Sequence, residues 1–504
     1  MSLTRLASLP LYPTLLAGVI VFGAYLDEDI SVHAALRPLL IVITVAAVLT
    51  ALAVWALGSR RGPALVAAAI LIVRSTDLFH AAVAITLIVL VGAAWFVARR
   101  SLLRDPNRLF NTFSVALVGA TLLTAAFSGT LWRIDLEQGQ PFAAQEAGPA
   151  PGRPDRPDIY LILLDGYPRA DTLERLFDFD NTPFLTELED RGFDVAESSR
   201  SNYMYTTMTL ASTLHMSYVQ DIPKSSLTSP SRPSLRTLIN RNPTWERLRS
   251  LGYGIAANQA PWETVAMRSA DLFCGDHIND FEMYLLRTTL IGPVVNFLNP
   301  DFLGDQHRRA INQAFDCLSQ ISAPTASPKL VFIHVGGPHL PIVFTRSGDP
   351  ADRDLFGQNA RELGVSHERF VEAYAEEIEY LNRRILEAVD VLAARQDEPV
   401  VMLMSDHGSE SRLDWDDSSK SDLQERFSNF FAARTPSRPS IFPTDLTPIN
   451  LFPILFNAYF DAAMPPQDAR FFLSPIHNKL EFTEVPDPVP PSAVNRFDEQ
   501  SGPA

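Results

Sequence analysis

Charge divides this chain into two unlike parts, and the division falls near Trp132. Residues 1 to 132 hold nine Arg, no Lys and five acidic residues, a net charge of +4, spread among long apolar runs. The remainder holds 33 basic and 53 acidic residues, a net charge of −20. A polypeptide needs about 20 consecutive apolar residues to cross a bilayer as a helix. The first part therefore reads as membrane-embedded and the second as an aqueous domain. Such acidity excludes nucleic acid as a partner, because that binding is dominated by cationic contacts to phosphate. With 47% hydrophobic residues and only two cysteines, a disordered or disulfide-stapled chain is excluded as well.

In the apolar part, Pro10 to Leu26 and Leu39 to Leu57 are long enough to cross. The stretch between the Arg60-Arg61 and Arg99-Arg100 pairs accommodates two crossings with a turn at Arg74 to Asp77, and Thr112 to Trp132 supplies a fifth. Cytoplasmic loops are enriched in Arg and Lys. Five crossings put both Arg clusters on one side and everything after Trp132 outside the cytoplasm. The alternative, a cleaved signal peptide, lacks a small-residue cleavage site and leaves the later apolar runs unexplained. The expected organisation is a transmembrane domain of about five helices over 1–132, a Pro/Gly-rich linker over 133–157, a catalytic domain over 158–485 and a flexible tail over 486–504.

After the linker, Ile159 to Leu164 is a continuous apolar run, the pattern of a strand covered on both faces. Helix, glycine and strand then alternate. Thr182 to Gly192 reads as a helix with Thr182 as its cap, and Pro243 to Ser250 as a helix before the strand Leu251 to Ala257. Lys329 to Ile333 is another strand. An apolar stripe from Phe370 to Leu392 at steps of three and four precedes the strand Val400 to Met404. This is an α/β domain with a mostly parallel sheet between helix layers.

In such sheets ligands bind beyond the carboxyl ends of the strands. The residues there are Asp165-Gly166, His334 to His339, and Ser405-Asp-His-Gly408. Carboxylates hold hard cations and imidazole suits zinc, so acids and histidines converging on one edge form the plan of a metal site. Taken singly, an Asp after a strand is an ordinary turn former, and His334 reads as a structural histidine. The joint occurrence carries the metal reading.

The region from about Asp158 to Tyr459 resembles the sulfatase branch of the alkaline phosphatase superfamily. Its marks are Leu163-Leu-Asp-Gly166, Asn181 to Phe193 and Ser405-Asp-His-Gly408. With the membrane helices it resembles lipoteichoic acid synthases and lipid A phosphoethanolamine transferases. The resemblance implies an alkaline phosphatase/sulfatase-like fold and a nucleophile at the start of a buried helix, within Ser201 to Leu214. One alignment places Thr206 there and another Thr209. No Cys lies in that segment, so a formylglycine sulfatase is not expected. The metal ligands implied are Asp165, Thr206, Asp406 and His407, holding one Mn²⁺ or Zn²⁺. One acid after the first strand, where many relatives have two, favours a single metal. His339 matches a substrate-side histidine that binds phosphate or protonates a leaving oxygen.

The expected function is a metal-dependent phosphoryl-group transferase, of phosphoethanolamine or phosphoglycerol type, at the outer face of the membrane. It would proceed through a phospho-threonine, with a membrane lipid donor and a lipid or glycan acceptor. A phosphate or sulfate ester hydrolase using the same site is the alternative, and an inactive membrane scaffold is a third reading. His215, Glu410 and Lys420 lie near the motifs as weaker pocket candidates. Cys274 and Cys317 both fall in the external domain, where an oxidising compartment permits but does not require a disulfide.

Overall fold

The computed structural model describes residues 9–27, 32–73, 106–127, 156–222, 235–289, 291–322, 328–357, 363–414, 420–475 and 479–488. The chain forms two compact units, one of Met1–Glu137 with Ile278–Phe302, the other of Gln138–His277 with Leu303–Ala504. In the first, helices α1 (Tyr12–Asp27), α2 (Val32–Val73) and α3 (Pro106–Phe127) are described. Gly58, at φ +83°, interrupts α2. Its first limb, Val32–Ser59, is the one described helix long and apolar enough to cross a membrane; the apolar segments Tyr12–Leu26, Arg61–Leu71 and Phe110–Leu123 are shorter. Asn111 on α3 accepts from the Leu11 and Tyr12 amides and donates to Leu9 O, satisfying donors that the start of α1 leaves open. Most of the two crossings expected between the Arg pairs, nearly all of the linker and most of the tail lie outside the described residues.

The second unit is built on a seven-stranded sheet. In chain order its strands are β1 (Ile159–Leu164), β2 (Asp194–Val195), β3 (Gly254–Asn258), β4 (Leu272–Cys274), β5 (Lys329–Val335), β6 (Val400–Ser405) and β7 (Phe431–Arg434). Their spatial order is β2-β7-β6-β1-β5-β3-β4, parallel from β6 to β4 and antiparallel at the β7 and β2 edge. Along the chain come helices α4 (Thr182–Asp190), α5 (Thr206–His215) and α6 (Pro243–Ser250). Next are α7 (Asp280–Arg287) and α8 (Ile291–Leu298), which belong to the first unit, then α9 (Phe302–Ser322) and α10 (His367–Ala393).

The continuous apolar run of β1 has a direct cause. Tyr160, Ile162 and Leu164 enter a core with the α10 stripe of Phe370, Tyr374, Ile378, Leu381 and Ile385. Ile159, Leu161 and Leu163 enter a separate core with Leu214, Trp245 and Leu248. Successive side chains of a strand point to opposite faces, so a central strand between two helix layers must be apolar at every position. The cap of α4 is Asn181 and not Thr182, which is the first helical residue. The Asn181 side chain does not cap the helix; it is held in a buried network with Tyr167 and Asn382. Cys274 at the end of β4 and Cys317 on α9 are joined in a disulfide, with Cα atoms 5.8 Å apart.

Candidate metal centre

Strand register brings the site together. Leu164 pairs with Ser405 on one side and Val335 on the other, so Asp165 and Asp406 emerge side by side at the same sheet edge. The loop after β5 closes over that edge: Asp165 N donates to Val335 O at 3.0 Å, and His339 N donates to Asp165 O at 3.0 Å. Gly166 adopts φ +70°, a conformation that glycine enters without steric cost, and its amide donates to Asp406 Oδ1 at 3.0 Å. Gly408 is required for another reason: a Cβ there would meet Glu425 O at 2.0 Å.

Asp165, Asp406 and His407 are buried and offer ligand atoms that all lie within 4.8 Å of one another. His407 Nε2 stands 3.1 Å from Asp406 Oδ2 and 3.8 Å from Asp165 Oδ1. Both of those carboxylate oxygens are buried without a hydrogen-bond partner. Such orphaned oxygens are costly in a protein interior unless something positive is bound there. Two carboxylates and an imidazole converging on one point fit a divalent cation of the zinc or manganese kind.

The electrostatics agree. Burial alone would raise the Asp165 pKa, but His339, His334 and His407 hold it below the ordinary carboxylate range. Burial and the Asp165 charge push Asp406 up to about 6. Burial and the Arg426 charge push His407 well below its ordinary value, leaving the neutral imidazole that metals bind. Two adjacent buried carboxylates driven in opposite directions mark a site with more negative charge than its surroundings offset.

The two threonines are separated by the geometry. Thr206 is the first residue of α5, and its Oγ1 lies 3.5 Å from His407 Nε2. Thr209 sits one turn deeper, fully buried, and its Oγ1 donates to the Asp406 carbonyl at 3.1 Å. One hydroxyl faces the cluster; the other ties α5 to the end of β6.

The remaining candidates sort readily. The His339 ring lies 6.4 Å from that of His407 and 5.4 Å from that of Trp262. Although burial opposes it, the charges of Asp165 and Glu410 raise the His339 pKa. Glu410 lines a small cavity with Gly166, His339, Tyr374, Gly408 and Arg426. His215 is half-buried and bonded to Leu238 O, a packing role, and Lys420 is exposed. Gly336 and Gly337 face Pro261 and Leu381, where their smallness serves packing.

Two residues at this site, Trp262 and Arg426, escaped the sequence reading, and a third, His334, reads there as structural only. His334 stands with Nε2 3.1 Å from Asp165 Oδ2, and Trp262 Nε1 donates to the same oxygen at 3.2 Å. Trp262 could have been found by the strand-end rule, since it follows β3; that rule already reaches His334, at the end of β5. Arg426 is buried, donates twice to Met204 O and once to Gly408 O, and places Nη2 3.2 Å from His407 Nε2. It belongs to no motif, and nothing in its local sequence marks it.

No protein-family profile and no curated protein matches this sequence. Solved structures do. The chain is similar to the C-terminal periplasmic domain of EcEptC from Escherichia coli, at 15% identity over 65% of this chain and 92% of that one, with a TM-score of 0.42. The same domain in complex with Zn gives a TM-score of 0.40. The integral membrane protein lipooligosaccharide phosphoethanolamine transferase A (EptA) from Neisseria meningitidis is similar at 12% identity over 86% of this chain and 88% of that one, with a TM-score of 0.37.

Proposed function

We propose that this chain is a phosphoryl-group transferase acting on a membrane lipid donor and a lipid or glycan acceptor outside the cytoplasm. The observation that carries the reading is the Thr206 hydroxyl at a helix N-terminus, beside three buried groups suited to a divalent metal. Asp165, Asp406 and His407 would hold the ion with the Thr206 oxygen beside them; Mn²⁺ and Zn²⁺ both suit the donor set. When bound, the metal supplies positive charge that lowers the hydroxyl pKa and offsets charge gathering on the phosphoryl oxygens.

The chain's own groups do the rest. Thr206 Oγ1 loses its proton to solvent and bonds to phosphorus, while the bond from phosphorus to the donor's ester oxygen breaks. His339, whose pKa the charges of Asp165 and Glu410 raise against the effect of burial, gives its proton to that leaving oxygen. An acceptor hydroxyl then returns a proton to His339 and bonds to phosphorus, while the bond from phosphorus to Thr206 Oγ1 breaks and that oxygen takes a proton back from solvent. The N-terminus of α5 favours negative charge at Thr206 and at the phosphoryl group it carries. Arg426, held by Met204 O and Gly408 O, adds a fixed positive charge beside the cluster.

The external location is supported by the Cys274–Cys317 disulfide, since such bonds persist in oxidising compartments. The apolar helix Val32–Ser59, long enough to cross a bilayer, supports the membrane placement. Comparative mass spectrometry of envelope lipids and glycans from cells with and without the protein reads the transferred group directly. A phosphoryl-linked alcohol missing from the deletion strain is the expected result. An unchanged profile refutes the transferase, and release of the group to water alone assigns the same site to a hydrolase.

A further inference from the structure

The excursion from Ile278 to Phe302 carries two short helices with different faces. Helix α7 is amphipathic and partnered. Asn279 and Glu282 form a reciprocal cap at its start, Asn279 Nδ2 donates to Ala34 O at 3.2 Å, and Glu282 pairs with Arg37. Phe281, Tyr284 and Leu285 pack with Val21, Tyr25, Ala34 and Ala35, where α1 ends and α2 begins. These contacts fix α7 at one end of the membrane-length limb Val32–Ser59, which is the level of a bilayer surface.

Helix α8 follows at that level and has the opposite character. From Thr288 to Pro300 the chain contains no charged residue. Phe297 is 84% exposed, Leu298 75% and Val294 56%. At 100° per residue Ile291, Val294, Val295, Phe297 and Leu298 share one face, while Gly292 and Asn296 lie on the other. Eight residues span about 12 Å, far less than the hydrocarbon thickness, so this helix lies along a membrane and does not cross it.

We infer that α8 is an interfacial helix whose apolar face is buried in the boundary between headgroups and acyl chains. Two features select lipid as the occupant: the packing of α7 against the end of the α1–α2 pair, and the lack of any charge from Thr288 to Pro300 that a protein partner's rim would read. Apolar burial drives this insertion, so it needs no anionic lipid.

The test uses the full-length protein in vesicles of phosphatidylcholine alone. The chain has two cysteines and both are in the disulfide, so a single introduced cysteine takes an environment-sensitive fluorophore specifically. F297C is compared with N296C, one residue away on the polar face. Spin-labelled lipid is expected to quench the label at 297 about threefold or more over that at 296, with a blue-shifted emission. Equal, weak quenching at both positions overturns the inference. So does shielding at 297 that is lost on diluting protein into excess lipid, since that outcome assigns the face to a second copy of the chain.

Discussion

Replacing Thr206 and, separately, Thr209 by alanine distinguishes a chemical role from a structural one. Thr206 contributes a half-buried hydroxyl facing the cluster, 3.5 Å from His407 Nε2. Its loss removes the proposed nucleophile and little packing, so turnover falls on the order of 10⁴ or more, about 5.5 kcal/mol in barrier. Stability changes little. Thr209 reverses the pattern. Its hydroxyl satisfies the buried Asp406 carbonyl, and leaving that acceptor unpaired costs about 1–3 kcal/mol, with about 1 kcal/mol more for the lost methyl group. For a unit of roughly 340 residues, unfolding entropy of about 0.7 kcal/mol per kelvin converts about 3 kcal/mol into a Tm drop of about 4 °C. The assay incubates each purified variant with membrane lipid carrying labelled phosphate, traps the covalent adduct in acid, and records a melting curve in parallel. Thr206→Ala should lose the adduct and keep its Tm; Thr209→Ala should form the adduct and melt early. An adduct in Thr206→Ala, or its absence in a folded Thr209→Ala, refutes the assignment.

Two further predictions rest on other parts of the second unit. Asp165→Asn and Asp406→Asn, purified under metal-replete conditions, should each lose the roughly one divalent ion per chain expected of the wild type; a metal-free wild type would remove the metal centre altogether. Glu377 on α10 is buried, accepts from Val343 N at 3.1 Å through Oε2 and leaves Oε1 without a partner, so burial pushes its carboxyl well above its ordinary value of 4.5. The folded pKa being the higher one, its contribution to stability is complete below about pH 4.5 and is lost as pH rises toward the folded value. The melting advantage of Glu377→Gln over wild type should therefore grow between about pH 5 and pH 8, and a pH-independent difference refutes the titration.

The sheet and most of the candidate site were legible because both depend on short stretches of chain. β1 is apolar at every position, and β5 and β6 through their middles, for a physical reason, burial on both faces, and parallel register then carries Asp165, His339 and Asp406 to one edge. Capping was less legible. Asn181 and Thr182 both have side chains suited to an N-cap, and only the network with Tyr167 and Asn382 decides what Asn181 does. Arg426 shows the larger limit. It reaches Met204 and Gly408 across the fold, contacts that no local pattern encodes. The different surroundings of Thr206 and Thr209 likewise depend on which side of one helical turn meets the end of β6. The excursion through α7 and α8 was hidden for the same reason, because its partners on α1 and α2 lie more than two hundred residues away in the chain.

The disulfide has a topological consequence beyond compartment. Cys274 and Cys317 bracket the whole excursion from Ile278 to Phe302, so α7 and α8 lie within a covalently closed loop. A protease that cuts once between these cysteines cannot separate the chain into two molecules. Such nicked protein runs as one band on a non-reducing gel and as two after thiol treatment, which turns limited proteolysis into a direct readout of whether the loop is closed.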